Sequence, residues 1–221
     1  MTTEDFERPV RAYFEGKPGD WAVSALGAYC TGTLDDGQPL YTGARFEQFA
    51  DGANPNTFTA SDVVAVSMLS VTVPPRAAIR LVSDGAANEW LRAIPTDELI
   101  WTVEPSVLHE GSASWELWHF LRNLEDVGRV TAGKLMAAKR PQLIPIYDQH
   151  VGAALRPPRR AFWLAMRRSI EDAHDLVEAA VKAAGVDVSP LRAVDIVVWM
   201  HQHGWRYSGG AVGEPPPVAG P

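Results

Sequence analysis

One carboxylate, Asp148, lies near the end of a stretch that is otherwise rich in basic residues, VGRVTAGKLMAAKRPQLIPIYDQHV (Val127–Val151). A positioned aspartate can act as a general base or stabilise a developing positive charge, and basic neighbours can bind an anionic substrate. An aspartate directly before a helix is also a favoured N-cap, which stabilises the helix by about 1 kcal/mol. The residue types therefore leave two roles open for Asp148, a helix cap and a catalytic carboxylate.

The turn before the first helix of this stretch has the features of a phosphate site. Gly128 permits close approach of another group to the backbone. The N–H groups from Arg129 to Thr131 would open the following helix, where they are unpaired donors at the positive end of the helix dipole. Lys134 lies one turn further along and adds a point charge. Pro141 is expected to end this helix near Lys139, and Asp148 then precedes a new helix.

The charge distribution along the chain is uneven. The net charge is −7, which argues against nucleic acid as a partner. Between Arg129 and Arg168, however, nine basic residues are opposed by the single carboxylate of Asp148. This asymmetry is typical of a polyanion-binding face on an acidic protein, and also of an arginine-rich helix surface neutralised by acidic neighbours.

Most of the confident patterns predict helices joined by short turns, which indicates an all-α orthogonal helical bundle. Thr59 and Asp62 form a helix-start signal, and Ser112 or Ser114 can cap a helix whose tryptophans are expected in the core. One long helix is predicted from Arg160 to Ala184, ended by Gly185, and a last helix starts at Ser189-Pro190. The predicted divisions are 1–56 as an N-terminal extension of mixed helix and turns, 57–206 as the helical domain, and 207–221 as a disordered Gly/Pro-rich tail.

The same stretch resembles the helix-hairpin-helix DNA glycosylases of the endonuclease III type, the HhH-GPD superfamily. That family has a hairpin of the form Leu-x-x-Val-Gly-x-x-Thr-Ala, then a Gly/Pro-rich loop that ends in a catalytic aspartate. The matching residues here are Leu124, Val127, Gly128, Thr131, Ala132, Pro141, Pro145, Asp148, His150 and Val151. The resemblance implies a glycosylase-like fold, Asp148 as the catalytic residue, and double-stranded DNA as the partner. It implies DNA contacts at Val127, Gly128, Arg129, Thr131 and Lys134.

The chemistry implied by the resemblance is hydrolysis of the N-glycosidic bond of a flipped, damaged or modified base. Two departures from the family pattern limit which reaction is expected. Asp126 stands where the hairpin has its usual first glycine, and Val130 stands where bifunctional members carry a Schiff-base lysine. A monofunctional enzyme is therefore expected, and the alternative is a non-catalytic helix-hairpin-helix protein that binds DNA or a protein partner.

Several other classes of protein are excluded or disfavoured. The single cysteine, Cys30, excludes internal disulfides, iron–sulfur ligation and cysteine-rich zinc sites. His201 and His203 diverge on a helix at this spacing, so no metal and no cofactor are expected. The longest nearly apolar run, Val63–Val73, is too short to span a bilayer, and the first residues lack a secretory signal. The expectation is a cytoplasmic protein without a membrane partner.

Overall fold

The computed structural model describes Phe6, residues 8–158 and residues 161–218. In these residues the regular structure is helical, apart from one isolated antiparallel bridge between Thr33 and Pro39. The all-α prediction is confirmed. The α-helices are α1 (Gly16–Thr31), α2 (Phe46–Phe49), α3 (Ala60–Met68), α4 (Pro75–Val82), α5 (Asn88–Ala93), α6 (Ala113–Arg122), α7 (Arg129–Lys139), α8 (Gln149–Leu155), α9 (Phe162–Glu171), α10 (His174–Ala184) and α11 (Pro190–Gln202). No helix of this described part is both long and apolar enough to cross a membrane.

The chain forms two compact units that differ from the predicted divisions 1–56, 57–206 and 207–221. The central unit is Arg45–Ile146, and the terminal unit combines Met1–Ala44 with Tyr147–Pro221. The physical reason is that α1 packs against α10 and α11, so both ends of the chain share one core. A division of the chain into consecutive segments could not predict that its two ends pack together.

In the central unit, α3 packs against α2 and α7, and α6 packs against α5 and α7. The start of α3 is a capping box, as predicted: the Thr59 side chain accepts from the helix, and Asp62 Oδ2 accepts from Thr59 N at 2.7 Å. Ser112, one of the two predicted caps of α6, accepts from Trp115 N at 3.2 Å. These caps fix where two helices of the central unit begin.

In the terminal unit, α11 packs against α1, α8 and α10 and is buried along most of its length. Ser189 caps it, as predicted, by accepting from Arg192 N at 3.1 Å. Arg192 forms a buried ion pair with Asp195 and donates to Tyr29 Oη at 3.0 Å. The charged pair inside α11 is therefore a structural contact with α1.

The prediction of one long helix from Arg160 to Ala184 is wrong in its middle, and its first residue lies outside the described residues. The chain instead forms α9 and α10, with a break at Asp172 and Ala173. Neither glycine nor proline marks the break. Side chains stabilise it: Arg11 Nη1 donates to Asp172 O at 2.8 Å, and His174 Nδ1 lies 2.9 Å from Glu171 O. Gly185 ends α10 with a φ of 64°, as its position predicts.

The Gly/Pro-rich composition of the tail predicts disorder, but the described part of the tail contacts the terminal unit. Trp21 Nε1 donates to Gly213 O at 2.8 Å, and His201 Nε2 lies 2.9 Å from Pro216 O. Val212 is buried. These contacts come from residues distant in sequence, so local composition gives no sign of them. Residues 219–221 of the predicted tail lie outside the described residues.

Candidate functional site

Asp148 is the N-cap of α8. Its Oδ1 accepts from His150 N at 2.8 Å and from Val151 N at 2.9 Å. The side chain is half-buried, and no described residue donates a hydrogen bond to its Oδ2. The capping role is therefore present, and it occupies one of the two carboxylate oxygens.

Two histidine rings stack beside this cap. His150, two residues after Asp148, lies parallel to His203 with ring centroids 4.5 Å apart and an interplanar angle of 11°. The hydroxyl of Tyr207 lies 3.0 Å from His203 Nε2. Asp148, His150, His203 and Tyr207 all belong to the terminal unit, and together they form a cluster that we call the Asp148 cluster.

The electrostatics of the Asp148 cluster favour a neutral His203. Burial lowers the pKa of the His203 imidazole, and the nearby His150 and Arg206 lower it further, while the Asp148 carboxylate acts in the opposite direction. A neutral imidazole can accept a hydrogen bond from the Tyr207 hydroxyl, and it can also accept a proton. The cluster thus combines a carboxylate with a group able to accept or donate a proton.

The predicted phosphate-binding turn lies in the central unit, between α6 and α7. Gly128 is exposed and is the N-cap of α7, and it makes no side-chain cap hydrogen bond. A Cβ added at Gly128 would meet no atom within 4 Å, so its backbone faces open space. Arg129 is exposed, Thr131 is half-buried and Val127 is buried. The main chain of this turn is accessible to a ligand.

The environment of Lys134 differs from the predicted one, in which this lysine supplies a point charge beside a phosphate. Its side chain is buried, and Nζ donates to Leu69 O at 2.8 Å. The neighbouring cations of α7 are buried as well. Lys139 pairs with Asp62, and the Arg140 guanidinium donates to the carbonyls of Ile94 and Pro55. Part of the positive run in the sequence therefore lies inside the central unit and not on a polyanion-binding face.

The predicted site residues fall into two groups. Val127, Gly128, Arg129, Thr131 and Lys134 belong to the central unit, and Asp148 is the second residue of the terminal segment that starts at Tyr147. Within one unit, the structure groups Asp148 with His150, His203 and Tyr207. The last two were not predicted because they are far from Asp148 along the chain. No local pattern marks this pairing, since His203 is the residue that follows α11 and Tyr207 lies in the 3-10 helix after it.

The tryptophans of α6 also differ from their predicted core position. Trp115 and Trp118 are half-buried, whereas Ser114, Leu117 and Leu121 are buried. The smaller side chains occupy the face toward the core, and the two indoles lie on its flank. The prediction assigned both tryptophans to the core because their spacing overlaps with that of the leucines.

Among the residues that the structure describes, no group of three or more histidine, cysteine or acidic side chains is arranged to hold a metal ion. His201 and His203 diverge, as their spacing predicts. The His201 ring packs edge-on against Tyr13 and Trp21, and the His203 ring packs against His150 and Tyr207.

Comparison with known proteins identifies one family. No curated protein and no solved structure matches the chain. The model of a family of unknown function, DUF6308, matches residues 22–202. The matched segment contains the α6–α7 turn and Asp148, and it ends before His203 and Tyr207. Because this match covers most of the 221 residues, the chain belongs to the DUF6308 family.

Proposed function

We propose that the chain is a monofunctional DNA glycosylase-like hydrolase, which cleaves the N-glycosidic bond of a flipped, damaged or modified base in double-stranded DNA. The observation that carries this proposal is the arrangement of Asp148. Its Oδ1 is held by two backbone N–H groups, which fix the orientation of the carboxylate. Its Oδ2 accepts no hydrogen bond from the described residues, and we assign this oxygen to contact a substrate or a water molecule.

In the proposed reaction, the bond between the base and the sugar C1′ breaks, and the sugar acquires positive charge. The Asp148 carboxylate stabilises that charge and orients a water molecule, whose oxygen forms the new bond to C1′. The proton lost by the water is accepted by Asp148 or by the neutral imidazole of His203. The departing base takes up a proton, so that the net change is the addition of one water across the glycosidic bond.

The α6–α7 turn is the proposed DNA anchor, and its assignment as a helix-hairpin-helix motif is part of the proposal. Gly128, the N-cap of α7, has no side chain to cap the first N–H groups of the helix, and Arg129 is exposed. Such groups bind a backbone phosphate and give affinity that depends on salt and not on base sequence. Lys134 adds its charge from a buried position and makes no direct contact with the phosphate.

A second candidate function is a non-catalytic helix-hairpin-helix protein that binds DNA or a protein partner. Two observations favour it. Lys134, Lys139 and Arg140 are buried, so they contribute less to a DNA-binding surface than their sequence positions suggest. Asp126 is exposed in the α6–α7 turn, where its carboxylate would repel a phosphate.

Release of free base from a panel of duplexes, each with one damaged or modified base, tests the proposal. We expect the wild type to release base from at least one duplex and to leave an unbroken abasic strand, because Val130 cannot form a Schiff base. Asp148→Asn should reduce the initial rate by about 100-fold or more, as expected for loss of a catalytic carboxylate. Asparagine is as good an N-cap as aspartate, so the variant should fold normally.

Thermal unfolding of Asp148→Asn provides the matched control for folding. If the wild-type protein binds DNA but releases no base from any duplex, the result contradicts the hydrolase, and the non-catalytic DNA-binding function remains. Equal rates for wild type and Asp148→Asn contradict the assignment of Asp148. A wild type that does not bind DNA at low salt contradicts both the hydrolase and the DNA-binding protein.

A further inference from the structure

The C-terminal segment 209–218, which we call the strap, is held on the terminal unit by two aromatic side chains. Trp21 Nε1 of α1 donates to Gly213 O at 2.8 Å, and His201 Nε2 of α11 lies 2.9 Å from Pro216 O. A carbonyl oxygen only accepts hydrogen bonds, so His201 Nε2 carries the proton and donates it. Both side chains therefore bind the backbone of the strap, whichever side chains the strap carries.

The two accepting carbonyls of the strap are three residues apart, at Gly213 and Pro216. Three residues make one turn of a polyproline II helix, so groups at this spacing lie on the same side of such a helix. The sequence between them favours this conformation. Proline fixes φ at about −65°, and Glu214, Pro215 and Pro216 each precede a proline, which restricts them to extended backbone. The spacing of the two donors matches a polyproline II ligand.

Packing holds the two donors in place. Trp21 and His201 lie on α1 and α11, which pack against each other in the terminal unit. The His201 ring packs edge-on against Tyr13 and Trp21, with ring centroids 5.2 Å and 5.8 Å apart. Proline-rich segments are bound by proteins on surfaces of this kind, lined by aromatic rings. We call Tyr13, Trp21 and His201 the strap-binding surface.

The strap begins in a glycine turn and has a single buried side chain. Gly209 and Gly210 have φ angles of 61° and 88°, and the Ser208 hydroxyl lies 3.3 Å from both the N and the O of Val212. Val212 is the one buried residue of the strap, all of which the structure describes. A terminal segment with so little buried surface opens at a lower free energy than the helices beneath it.

We propose that the strap-binding surface is a docking site for a proline-rich segment of a partner protein in the polyproline II conformation, and that the strap occupies it until the partner displaces it. The chain's own Gly213–Pro216, seated on this surface, identifies the chemistry of the occupant. The proposal uses neither the α6–α7 turn nor the Asp148 cluster, so it is independent of the proposed hydrolysis.

Binding of a fluorescently labelled synthetic peptide with the sequence of residues 209–218 to the full chain tests the proposal. The wild type should bind the peptide weakly, because its tethered strap competes at an effective concentration on the order of millimolar. Val212→Asp should release the strap, since it places a carboxylate at the buried position and leaves the strap-binding surface unchanged. We expect this variant to bind the peptide at least about 10-fold more tightly than the wild type.

Gly210→Val releases the strap by a second route, which does not place a charge in the core. Its φ of 88° strains a β-branched residue, so the turn that starts the strap is disfavoured. This variant should also bind the peptide more tightly than the wild type. The two variants together keep the test decisive if Val212→Asp folds poorly.

Trp21→Phe, made in the Val212→Asp chain, keeps an aromatic ring but removes the indole N–H that donates to the strap. It should weaken peptide binding by about fivefold, as expected for one hydrogen bond. Trp90→Phe in the same chain is the matched control, because Trp90 lies in the central unit, and it should leave the affinity unchanged. A peptide with alanine in place of its three prolines keeps the carbonyls, loses the preformed conformation and should bind more weakly.

The proposal is overturned if the peptide binds Val212→Asp and Gly210→Val no more tightly than the wild type. Equal binding of the proline and alanine peptides overturns it too, and so does an equal effect of Trp21→Phe and Trp90→Phe. Sedimentation of the wild type separates a partner from a second copy of the chain. A dimer that is lost in Trp21→Phe would show that the strap of a second copy is the occupant, against the proposal of a different partner.

Discussion

The ammonium of Lys139 lies 2.5 Å from Asp62 Oδ2, and both side chains are fully removed from solvent. Asp62 also accepts from the backbone N–H groups of Thr59 and Asp51, and Lys139 Nζ donates to the carbonyls of Asp51 and Asn54. One ion pair thus connects the start of α3, the loop before it and the end of α7. A lysine that the sequence places in a basic run is part of the interior of the central unit.

Lys139→Met should destabilise the protein by about 3–5 kcal/mol, because it leaves the Asp62 carboxylate buried without its cation. The measurement is the free energy of unfolding in urea. Asp62→Asn removes the other charge, and Lys139→Met should cost much less in that background than in the wild type. Additive effects of the two substitutions would contradict a direct interaction between these residues.

The exposed ion pair between Arg76 and Glu125 is the control for this experiment. Its atoms are 2.9 Å apart, but its side chains are 80% and 55% exposed. Arg76→Ala should therefore change the free energy of unfolding by less than about 1 kcal/mol. A loss as large as that of Lys139→Met would show that the effect does not depend on burial.

Gly128→Ser separates phosphate binding at the α6–α7 turn from the stability of the fold. The backbone of Gly128 has a φ of −80°, and a Cβ added there meets no atom within 4 Å. Serine is a better N-cap than glycine, and its hydroxyl accepts from the first N–H groups of α7. Stability should therefore be unchanged or slightly raised, while affinity for duplex DNA falls because those donors are occupied and covered.

The comparison for Gly128→Ser is a pair of arginine variants in the same unit. Arg129→Ala should weaken DNA binding. It should also reduce the slope of the logarithm of the binding constant against the logarithm of the salt concentration by about one, which corresponds to one phosphate contact. Arg45→Ala removes an equal charge elsewhere in the unit and should have little effect. If Gly128→Ser binds DNA as tightly as the wild type, the N–H groups of this turn do not bind phosphate.

Local signals in the sequence predicted much of the helical framework. Thr59 with Asp62, Ser189 before α11, and Gly185 after α10 act through hydrogen bonds or backbone angles within a few residues, so their roles can be recognised without the fold. Asp148 belongs to the same group, since its capping bonds reach only to His150 and Val151.

Contacts between distant segments could not be predicted in the same way. The partners of Lys134 and Arg140 are backbone carbonyls of other elements, and a carbonyl has no signature in sequence. The stacking of His150 on His203 depends on the packing of α8 against α11. A run of basic residues in the sequence therefore does not indicate a basic protein surface when the run lies on a helix as buried as α7.

Removal of the described tail should destabilise the terminal unit. A chain that ends at Ser208 loses the buried Val212 and the hydrogen bond from Trp21 to Gly213. Burial of one valine side chain contributes about 1.5–3 kcal/mol, so the midpoint of thermal unfolding should fall measurably. A chain that ends at Val218 keeps these contacts and is the control. Equal midpoints for the two chains would indicate that the tail is disordered, as its composition suggests.

The pKa of His203 should respond in opposite directions to two neighbouring charges. Asp148→Asn removes a negative charge that favours the imidazolium, so the pKa should fall below its wild-type value. Arg206→Ala removes a positive charge that disfavours it, so the pKa should rise. NMR titration of the His203 ring measures both changes without any substrate. Identical titration curves for the three proteins would mean that Asp148 and Arg206 lie too far from His203 to act on it.

The lowered pKa of His203 also predicts how stability depends on pH. The unfolded chain binds this proton near the ordinary value of 6.5, and the folded chain binds it only at lower pH. Stability should therefore decrease as the pH falls from the ordinary value through the lowered one, because protonation favours the unfolded chain. His203→Gln should show a smaller decrease in the same interval. Tyr207→Phe keeps the His150–His203 stack and should retain the decrease in stability seen in the wild type. If the decrease is lost in Tyr207→Phe as well as in His203→Gln, the effect belongs to the Tyr207 hydrogen bond and not to the stacked rings.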